Sequence, residues 1–466
     1  MLMSVFAMAL TSCGGGNNGN DEPDTVKQPS VLTQSITEGA TLSAYTTTQL
    51  DLVYSGPVTL TTSSGITLNG TALTGVTINS NEVTIPLSLK EGTSYTLTIA
   101  ANALTAKSDS KVSAKPFTLK FTTKGSTTSD FSLAALSDSK ATKEAQNVYN
   151  FLKTNFGKKI LSGVQNTKAY ITDYANSIYT ATGKHPAISG YDFIFLNWPA
   201  GDWYGNYNDI TYLKEQWNNN GLVSLTWHWN VPSAEGVTDP AKFGFYATGK
   251  GGGNSETTFD IRQALIEGTW QNTVIKNDIK KVAGFLKLLQ DANIPVIWRP
   301  LHEAAGDYKW GAWFWWGVYG PEYTKQLWKY MYDQFTNVYG LHNLIWVWTV
   351  QTQSEGKLAS DEVIANAYPG NDYVDIVGAD LYFSDNNSHP AEFEALKRLT
   401  GAKKLVTLSE CGNVFMPTKC ISGGDPWSWF MSWCDEGFKN WNSSTIWKSV
   451  MSDGYVINRE DMPSLK

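Results

Sequence analysis

The chain has 466 residues, of which 42% are hydrophobic and only 17% are charged. This apolar content excludes disorder over most of the length and predicts about three domains, or one large barrel with a smaller module. The 36 basic and 43 acidic residues give a net charge of −7 without any basic run, which argues against a nucleic-acid partner because phosphate binding needs clustered Lys and Arg. Nineteen Trp, 22 Tyr and 19 Phe residues favour a neutral, hydroxyl-rich ligand such as carbohydrate, although a large core also uses such rings.

The N-terminal segment has the features of an export signal. Residues 2–10 (LMSVFAMAL) form an apolar run that is too short to span a bilayer, and small residues lead from it to Cys13. This stretch resembles the lipobox of a bacterial lipoprotein, which implies a signal peptide at 1–12, lipid attachment to Cys13 and an outer-membrane or cell-surface location. The alternative is a frayed N-terminus. Residues 13–29, rich in Gly, Asn, Asp and Pro, are predicted to be a flexible linker.

Residues 30–124 differ in composition from the rest of the chain, because they contain no Trp, Cys or His. Apolar and polar residues alternate with period two at 94–99 (SYTLTI) and 116–121 (PFTLKF), and Gly-containing turns separate such runs. This pattern predicts a β-sandwich, and the segment resembles a bacterial Ig-like domain. We expect it to be a spacer. Carbohydrate binding is the alternative, and the rings available for it are Tyr45, Tyr54 and Tyr95.

Residues 131–466 alternate between helical and strand-like segments. Helices are predicted at 138–156, 170–183, 208–219, 259–292, 321–339 and 391–400. Strands are predicted at 159–163, 186–193, 222–229, 294–302, 343–350, 373–381, 404–409 and 427–433. Eight nearly continuous apolar strands separated by helices predict an α/β fold, the (β/α)8 TIM barrel. The chemistry of such a barrel lies at the C-terminal ends of its strands.

Two of the predicted strands lead directly into a glutamate. Glu303 follows the fourth strand and Glu410 follows the seventh. Glycoside hydrolysis needs such a pair, since one carboxyl donates a proton to the leaving oxygen while the other stays ionised to meet the sugar carbon. Apolar surroundings raise a carboxyl pKa, and a cation such as Arg299 lowers it. For each glutamate alone, a helix cap or a surface salt bridge is the competing interpretation.

The motifs around these glutamates resemble a known family. Residues 299–303 (RPLHE), 313–317 (WFWWG), Ser409-Glu410 and 455–459 (YVINR) resemble glycoside hydrolase family 26 of clan A, which is dominated by endo-β-1,4-mannanases. The resemblance covers roughly 135–466. It implies a retaining double displacement on mannan, glucomannan or galactomannan without a cofactor. Glu303 would be the general acid/base and Glu410 the nucleophile, with their carboxyl groups about 5–5.5 Å apart.

The same resemblance implies roles for seven further residues. His302 would support the acid/base, and Arg299 would help to keep the nucleophile ionised. Tyr382 would donate a hydrogen bond to the nucleophile. The other four would bind sugar: His228 at the cleavage site, Trp313 and Phe314 beside the acid/base, and Trp433 beneath the distorted sugar. One departure from the family pattern is the segment 304–312, which separates Glu303 from the Trp-rich motif.

The sequence leaves several alternatives open. The same scaffold serves a β-1,3-1,4-glucanase or a β-1,3-xylanase, and a non-catalytic glycan-binding lipoprotein is the alternative outside enzymology. The four cysteines and five histidines match no zinc-binding pattern, so no metal is expected. For Cys411, simple burial or a disulfide with Cys420 or Cys434 is favoured over a catalytic thiol. The chain is expected to be a monomer.

Overall fold

The computed structural model describes residues 26–42, 47, 49–90, 92–123, 130–201, 205–251, 255–304, 312–351, 358–435 and 438–466. The signal peptide predicted at 1–12, Cys13, much of the linker predicted at 13–29, and Tyr45 lie outside these residues. The chain divides into two compact units, Met1–Lys124 and Gly125–Lys466. Among the helices that are described, none is both long and apolar enough to cross a membrane.

The N-terminal unit is built from short β-strands arranged in three sheets of four, three and five strands. Alternate side chains of Gln49–Tyr54 and Ser94–Ile99 are buried, as the period-two pattern predicts, and they form a hydrophobic core belonging to this unit. The β-rich character is confirmed, whereas the Ig-like classification stays a prediction. The strands are Val31–Gln34, Thr41–Leu42, Gln49–Tyr54, Val58–Leu60, Ile66–Leu68, Thr71–Ala72, Thr77–Asn79, Glu82–Pro86, Ser94–Ile99, Leu104–Ala106, Asp109–Ser113 and Phe117–Thr123.

The C-terminal unit is a closed barrel of eight parallel strands, each paired with the next along the chain and the last with the first. The predicted (β/α)8 barrel is therefore confirmed. Nearly every strand residue is buried, because helices cover the outside and side chains fill the inside. The strands are β1 Gly163–Gln165, β2 Ile188–Asp192, β3 Leu222–Thr226, β4 Val296–Arg299, β5 Leu344–Val350, β6 Ile376–Leu381, β7 Leu405–Cys411 and β8 Phe430–Ser432.

Ten α-helices accompany the barrel in the described residues. Several begin at a side-chain cap, as at Thr142, Thr269 and Ser443, whose hydroxyls accept a hydrogen bond from a backbone N–H of the first turn. The helices are α1 Lys143–Asn155, α2 Asp173–Thr182, α3 Thr211–Asn218, α4 Ile261–Ala264, α5 Trp270–Asp291, α6 Pro321–Asp333, α7 Asp361–Ala367, α8 Pro390–Thr400, α9 Pro417–Gly423 and α10 Ser444–Met451.

The structure differs from two of the predicted elements for identifiable reasons. Residues Ile160–Leu161 form a separate ladder with Val456–Ile457, and Leu161 makes an isolated bridge to Trp429 just before β8. The continuous pairing of the barrel strand β1 therefore begins at Gly163. The helix predicted at 259–292 is divided into α4 and α5, because Gly268 adopts a φ of 85° and Thr269 caps a new helix.

The three barrel cysteines are free, and Cys411 and Cys420 are buried. Of the two interpretations offered for Cys411, simple burial is correct and the disulfide is wrong. Its Sγ lies 3.6 Å from the backbone oxygen of Met431 on the neighbouring strand β8, so this side chain serves as packing between strands.

Candidate active site

The candidate site lies at the C-terminal rim of the barrel, where the ends of six strands meet. Because all eight strands are parallel, residues that end different strands come together here even when they are far apart in sequence. The contributing residues are Asp192 from β2, His228 after β3, Arg299, His302 and Glu303 at and after β4, Asp380 and Tyr382 at the end of β6, Glu410 on β7, and Trp433 after β8.

Glu410 is buried and is held through both carboxylate oxygens. Its Oε2 accepts a hydrogen bond from Arg299 Nη2 at 2.8 Å, and its Oε1 accepts one from the hydroxyl of Tyr382. Tyr382 is 36% exposed as a whole, but desolvation, and then the charge of Glu410, raise its pKa well above the usual value, so the hydroxyl keeps its hydrogen and donates. The two donors fix the orientation of the carboxylate and stabilise it as an anion.

A local irregularity in β7 sets the direction of Glu410. Ala379 of β6 pairs with Leu408, but the next residue, Asp380, pairs with Glu410, so that Ser409 is an extra residue in β7. Bulges of this kind redirect a side chain next to many active sites. Gly378 makes room for it, since a Cβ at this position would lie 1.8 Å from Ser409 Oγ.

Arg299 is the buried cation of the site, and it serves two carboxylates. Its Nη1 donates to both oxygens of Asp380, at 2.9 and 3.0 Å, while its Nη2 donates to Glu410. All three side chains are at most 5% exposed. Removal of the arginine from such a buried network leaves the two carboxylates without their counter-charge.

Replacing Arg299 by methionine should therefore lower the free energy of unfolding of the barrel by about 3–5 kcal/mol. Tryptophan fluorescence during chemical denaturation measures this unit alone, because the first tryptophan of the chain is Trp198. The matched control is Arg262→Met, which removes an exposed arginine from its pair with Asp260 and should leave the midpoint unchanged. Equal midpoints for both variants would contradict the structural role of Arg299.

Glu303 has the opposite environment. It is 6% exposed, and burial together with the charges of Asp380 and Glu410 raises its pKa well above the usual value, against the opposing effects of Arg299 and of a hydrogen bond from the Trp313 side chain. Glu303 therefore keeps its proton to a higher pH than an ordinary carboxyl group. Two carboxyl groups with such contrasting environments can divide the roles of acid and anion.

The backbone that presents Glu303 is unusual. Leu301 and Glu303 adopt φ values of 49° and 50°, which residues other than Gly rarely occupy. Such strain tends to occur at functional sites, where the surrounding structure holds it in place.

His302 lies between the two glutamates. Its Nε2 is 3.8 Å from Glu303 Oε1, and its Nδ1 is 3.8 Å from Glu410 Oε2 and 3.4 Å from Asp380 Oδ2. Burial, followed by His228 and Arg299, lowers the pKa of His302 well below its usual value, so the ring is neutral at physiological pH. The two glutamates thus face opposite edges of one imidazole, and their carboxyl groups converge on a common space.

Five aromatic rings lie around this space, those of His228, His302, Trp313, Phe314 and Trp433. The ring centroid of His228 is 4.0 Å from that of His302 and 5.7 Å from that of Trp433, and Phe314 is 5.5 Å from His302. Phe314 is only 4% exposed and stacks on Trp316, so its ring packs against the two histidines from the protein interior. Trp313 remains partly exposed beside Glu303. All nine residues predicted for catalysis or binding are therefore brought to one site.

Three residues of the site were not predicted. Asp380 binds Arg299, and Asp192 binds His228. Tyr246 stacks on Phe314, and the pKa of Tyr246 is raised by burial and then by the charge of Glu303. An acidic residue at the end of β2 or β6 was an available signal for the first two. Tyr246 lies in the long segment after β3, and no pattern in the sequence marks it.

One set of three potential metal ligands occurs among the described residues. His302, Glu303 and Asp380 each present one ligand atom, and these atoms lie within 4.8 Å of one another. The same space contains the guanidinium of Arg299, which donates to Asp380. The positive charge that faces these carboxylates is therefore supplied by the protein itself.

Several known proteins are similar in sequence to this chain. A curated relative, Mannan endo-1,4-beta-mannosidase B of Piromyces sp, is 35% identical over 334 residues, which cover 70% of this chain and 53% of that protein. The chain thus spans about half the length of this relative.

The segment 305–311, which holds most of the departure from the family pattern, lies outside the described residues.

Two solved structures share the barrel. The GH26 domain of an endo-beta-mannanase/endo-beta-glucanase from Prevotella bryantii is 37% identical with a TM-score of 0.62, covering 70% of this chain and 98% of that domain. A beta-mannanase from a symbiotic protist of the termite Reticulitermes speratus, complexed with gluco-manno-oligosaccharide, is 35% identical with a TM-score of 0.61, covering 72% and 99%. Residues 137–461 match the family described as Glycosyl hydrolase family 26, and this chain belongs to that family.

Proposed function

We propose that the barrel is a retaining endo-β-1,4-mannanase that hydrolyses internal bonds of mannan, glucomannan or galactomannan. The observation that carries the proposal is the pair of buried glutamates on either side of His302. The surroundings of Glu303 raise its pKa, and Glu410 accepts hydrogen bonds from Arg299 and Tyr382. The names of the relatives support the choice of mannan, and the resemblance of the surrounding motifs supports the roles.

The first step forms a covalent intermediate. Glu410 attacks the anomeric carbon, the bond to the leaving oxygen breaks, and Glu303 gives its proton to that oxygen. The hydrogen bonds from Tyr382 and Arg299 orient the attacking carboxylate. They also stabilise it as a leaving group later, because both contacts are strongest when its charge returns.

The second step restores the enzyme. Glu303, now ionised, removes a proton from a water molecule, whose oxygen attacks the same carbon while the bond to Glu410 breaks. The sugar leaves with its original anomeric configuration, and Glu303 regains its proton. His302 is neutral and its Nε2 lies 3.8 Å from Glu303 Oε1. A positive charge at this position would favour the ionised form of Glu303, and the neutral ring avoids that effect.

Product analysis on a panel of polysaccharides tests the proposal. The purified chain should release oligosaccharides from β-mannan, galactomannan and glucomannan with a rapid fall in viscosity, and the first product should be the β-anomer by proton NMR. Larger initial rates on lichenan or β-1,3-xylan would instead favour the glucanase or xylanase alternatives. A Glu303→Gln/Glu410→Gln double variant controls for contaminating hydrolases, and failure of the wild-type chain on every polysaccharide would favour a glycan-binding protein.

We also propose that the chain is a monomer, anchored in the outer membrane or at the cell surface through lipid on Cys13, with an Ig-like spacer at 30–124. The β-rich N-terminal unit with its separate core and its lack of tryptophan support the spacer. Incorporation of a labelled fatty acid that is lost in Cys13→Ser tests the anchor, and label retained in that variant would contradict it.

A further inference from the structure

Asp192 is a buried carboxylate of the active site that the proposed chemistry does not use. It is the last residue of β2 and is 8% exposed. Its Oδ1 accepts a hydrogen bond from the backbone N–H of His228 at 2.9 Å, and its Oδ2 is hydrogen-bonded to Nδ1 of the same residue. Both oxygens therefore bind one histidine.

This arrangement determines which ring nitrogen of His228 carries hydrogen. An ionised carboxylate only accepts hydrogen bonds, so Nδ1 must be the donor. In the neutral ring, Nε2 is then an acceptor. Among the residues that the structure describes, no protein group forms a hydrogen bond with Nε2. The acceptor is available to a ligand.

The position of Asp192 is itself fixed by its neighbours. Asp192 of β2 pairs with Thr226 of β3, and Thr226 lies two residues before His228 in the sequence. The backbone oxygen of Asp192 accepts a hydrogen bond from the hydroxyl of Tyr207 at 2.6 Å, and this hydroxyl accepts one from the N–H of Phe195 at 3.2 Å. The backbone that carries this carboxylate is thus held by hydrogen bonds from its neighbours.

The imidazole held by Asp192 faces the catalytic space, since it lies against His302 on one side and Trp433 on another. We propose that Asp192 is a positioning residue that fixes the tautomer of His228, so that Nε2 accepts a hydrogen bond from a hydroxyl group of the sugar bound at Glu303 and Glu410. This inference rests on the proposed function for the identity of the ligand, but not for the tautomer.

The tautomer can be measured without substrate. The chain has only five histidines, so selective labelling with nitrogen-15 histidine gives few signals, and His228→Ala identifies those of His228. In the wild-type protein we expect hydrogen on Nδ1 and a free lone pair on Nε2. Hydrogen on Nε2 of the neutral ring would overturn the proposal even if every variant failed to fold.

Asp192→Asn should invert the tautomer. The amide oxygen can still accept the backbone N–H of His228, but the amide NH2 then faces Nδ1 and needs an acceptor there, so the hydrogen moves to Nε2. We expect kcat/KM on a manno-oligosaccharide to fall roughly 10²-fold, because a donor replaces the acceptor that the sugar hydroxyl requires. An unchanged nitrogen-15 spectrum or unchanged kcat/KM would overturn the proposal.

A double-mutant cycle shows whether Asp192 acts through His228. In the His228→Ala background, Asp192→Asn should cause no further loss of kcat/KM, since the group that it positions is absent. A further loss as large as in the wild-type background would mean that Asp192 acts independently of His228. If the wild-type chain hydrolyses none of the polysaccharides, the proposed function fails while the tautomer result still stands.

Asp278 provides the matched control. It is a buried carboxylate on α5 whose Oδ2 accepts a hydrogen bond from Trp229 Nε1 at 2.8 Å, so it contacts the residue next to His228. Asp278→Asn retains an acceptor for the indole and should leave both kcat/KM and the His228 signals unchanged. An equal loss in this control would mean that packing at the end of β3, rather than the tautomer, controls activity.

Discussion

Replacing Glu410 by alanine should lower turnover of a β-mannan by roughly 10⁴-fold or more, because no other group of the site can form the covalent intermediate. The variant removes one of the two carboxylates bound by Arg299, and Asp380 keeps its two hydrogen bonds with that guanidinium. The fold should therefore survive, and binding of mannopentaose, measured by calorimetry, should persist because the aromatic rings and His228 are unchanged.

A small external nucleophile identifies the role of Glu410 by stereochemistry. Azide can occupy the space left by the missing carboxylate and attack a dinitrophenyl β-mannobioside from the same face, with Glu303 still in place. The product should be the α-mannosyl azide, since a single displacement inverts the anomeric carbon. Substantial mannan turnover in Glu410→Ala, or a β-azide from it, would show that another group is the nucleophile.

The positions of the two glutamates proposed for catalysis could be predicted because they depend only on the order of residues along the chain. Each glutamate follows an apolar strand, and a parallel barrel brings all such ends to one rim. Burial of Glu303 and the contact between Arg299 and Glu410 agree with the environments expected from apolar flanks and a nearby cation.

The pairings between strand ends could not be predicted, because they depend on register across the barrel. The extra residue Ser409 places Asp380 opposite Glu410, and nothing in the apolar run of β7 indicates such a bulge. The association of Asp192 with His228 likewise depends on how far β2 and β3 extend. Tyr246 reaches the site from a long segment after β3, whose course is set by tertiary contacts.

The aromatic content was a weaker guide than it first suggested. Eleven of the 19 tryptophans are among the largest fully buried side chains of the chain, so most of them are packing between strands and helices. Trp315 and Trp316, adjacent in the Trp-rich motif, are both completely buried. The evidence for a sugar ligand therefore comes from the few rings that border the glutamates, Trp433 and Trp313 above all.

Glu303→Gln should lower turnover of mannan by about 10²- to 10⁴-fold, which is the usual contribution of a general acid/base. The wild-type enzyme should lose kcat/KM as the pH rises, because only the protonated form of Glu303 can protonate the leaving oxygen. Since burial and neighbouring charges raise this pKa, the loss should occur above the ordinary carboxyl value of about 4.3. The pH profile of kcat/KM on a manno-oligosaccharide measures it.

A substrate whose leaving group needs no protonation separates the two roles of Glu303, as the acid of the first step and the base of the second. Dinitrophenolate leaves without protonation, so Glu303→Gln should release a rapid burst of dinitrophenol from the mannobioside and then stall, because no base activates water. Azide, which needs no base, should restore turnover and give the β-mannosyl azide, the opposite anomer from Glu410→Ala. The rate of this burst in Glu303→Gln should not fall at high pH, in contrast to kcat/KM of the wild-type enzyme on a manno-oligosaccharide. Full mannan activity in Glu303→Gln, or the same α-azide from both variants, would contradict the assignment, since only two carboxyl groups on opposite sides of one anomeric carbon give opposite products.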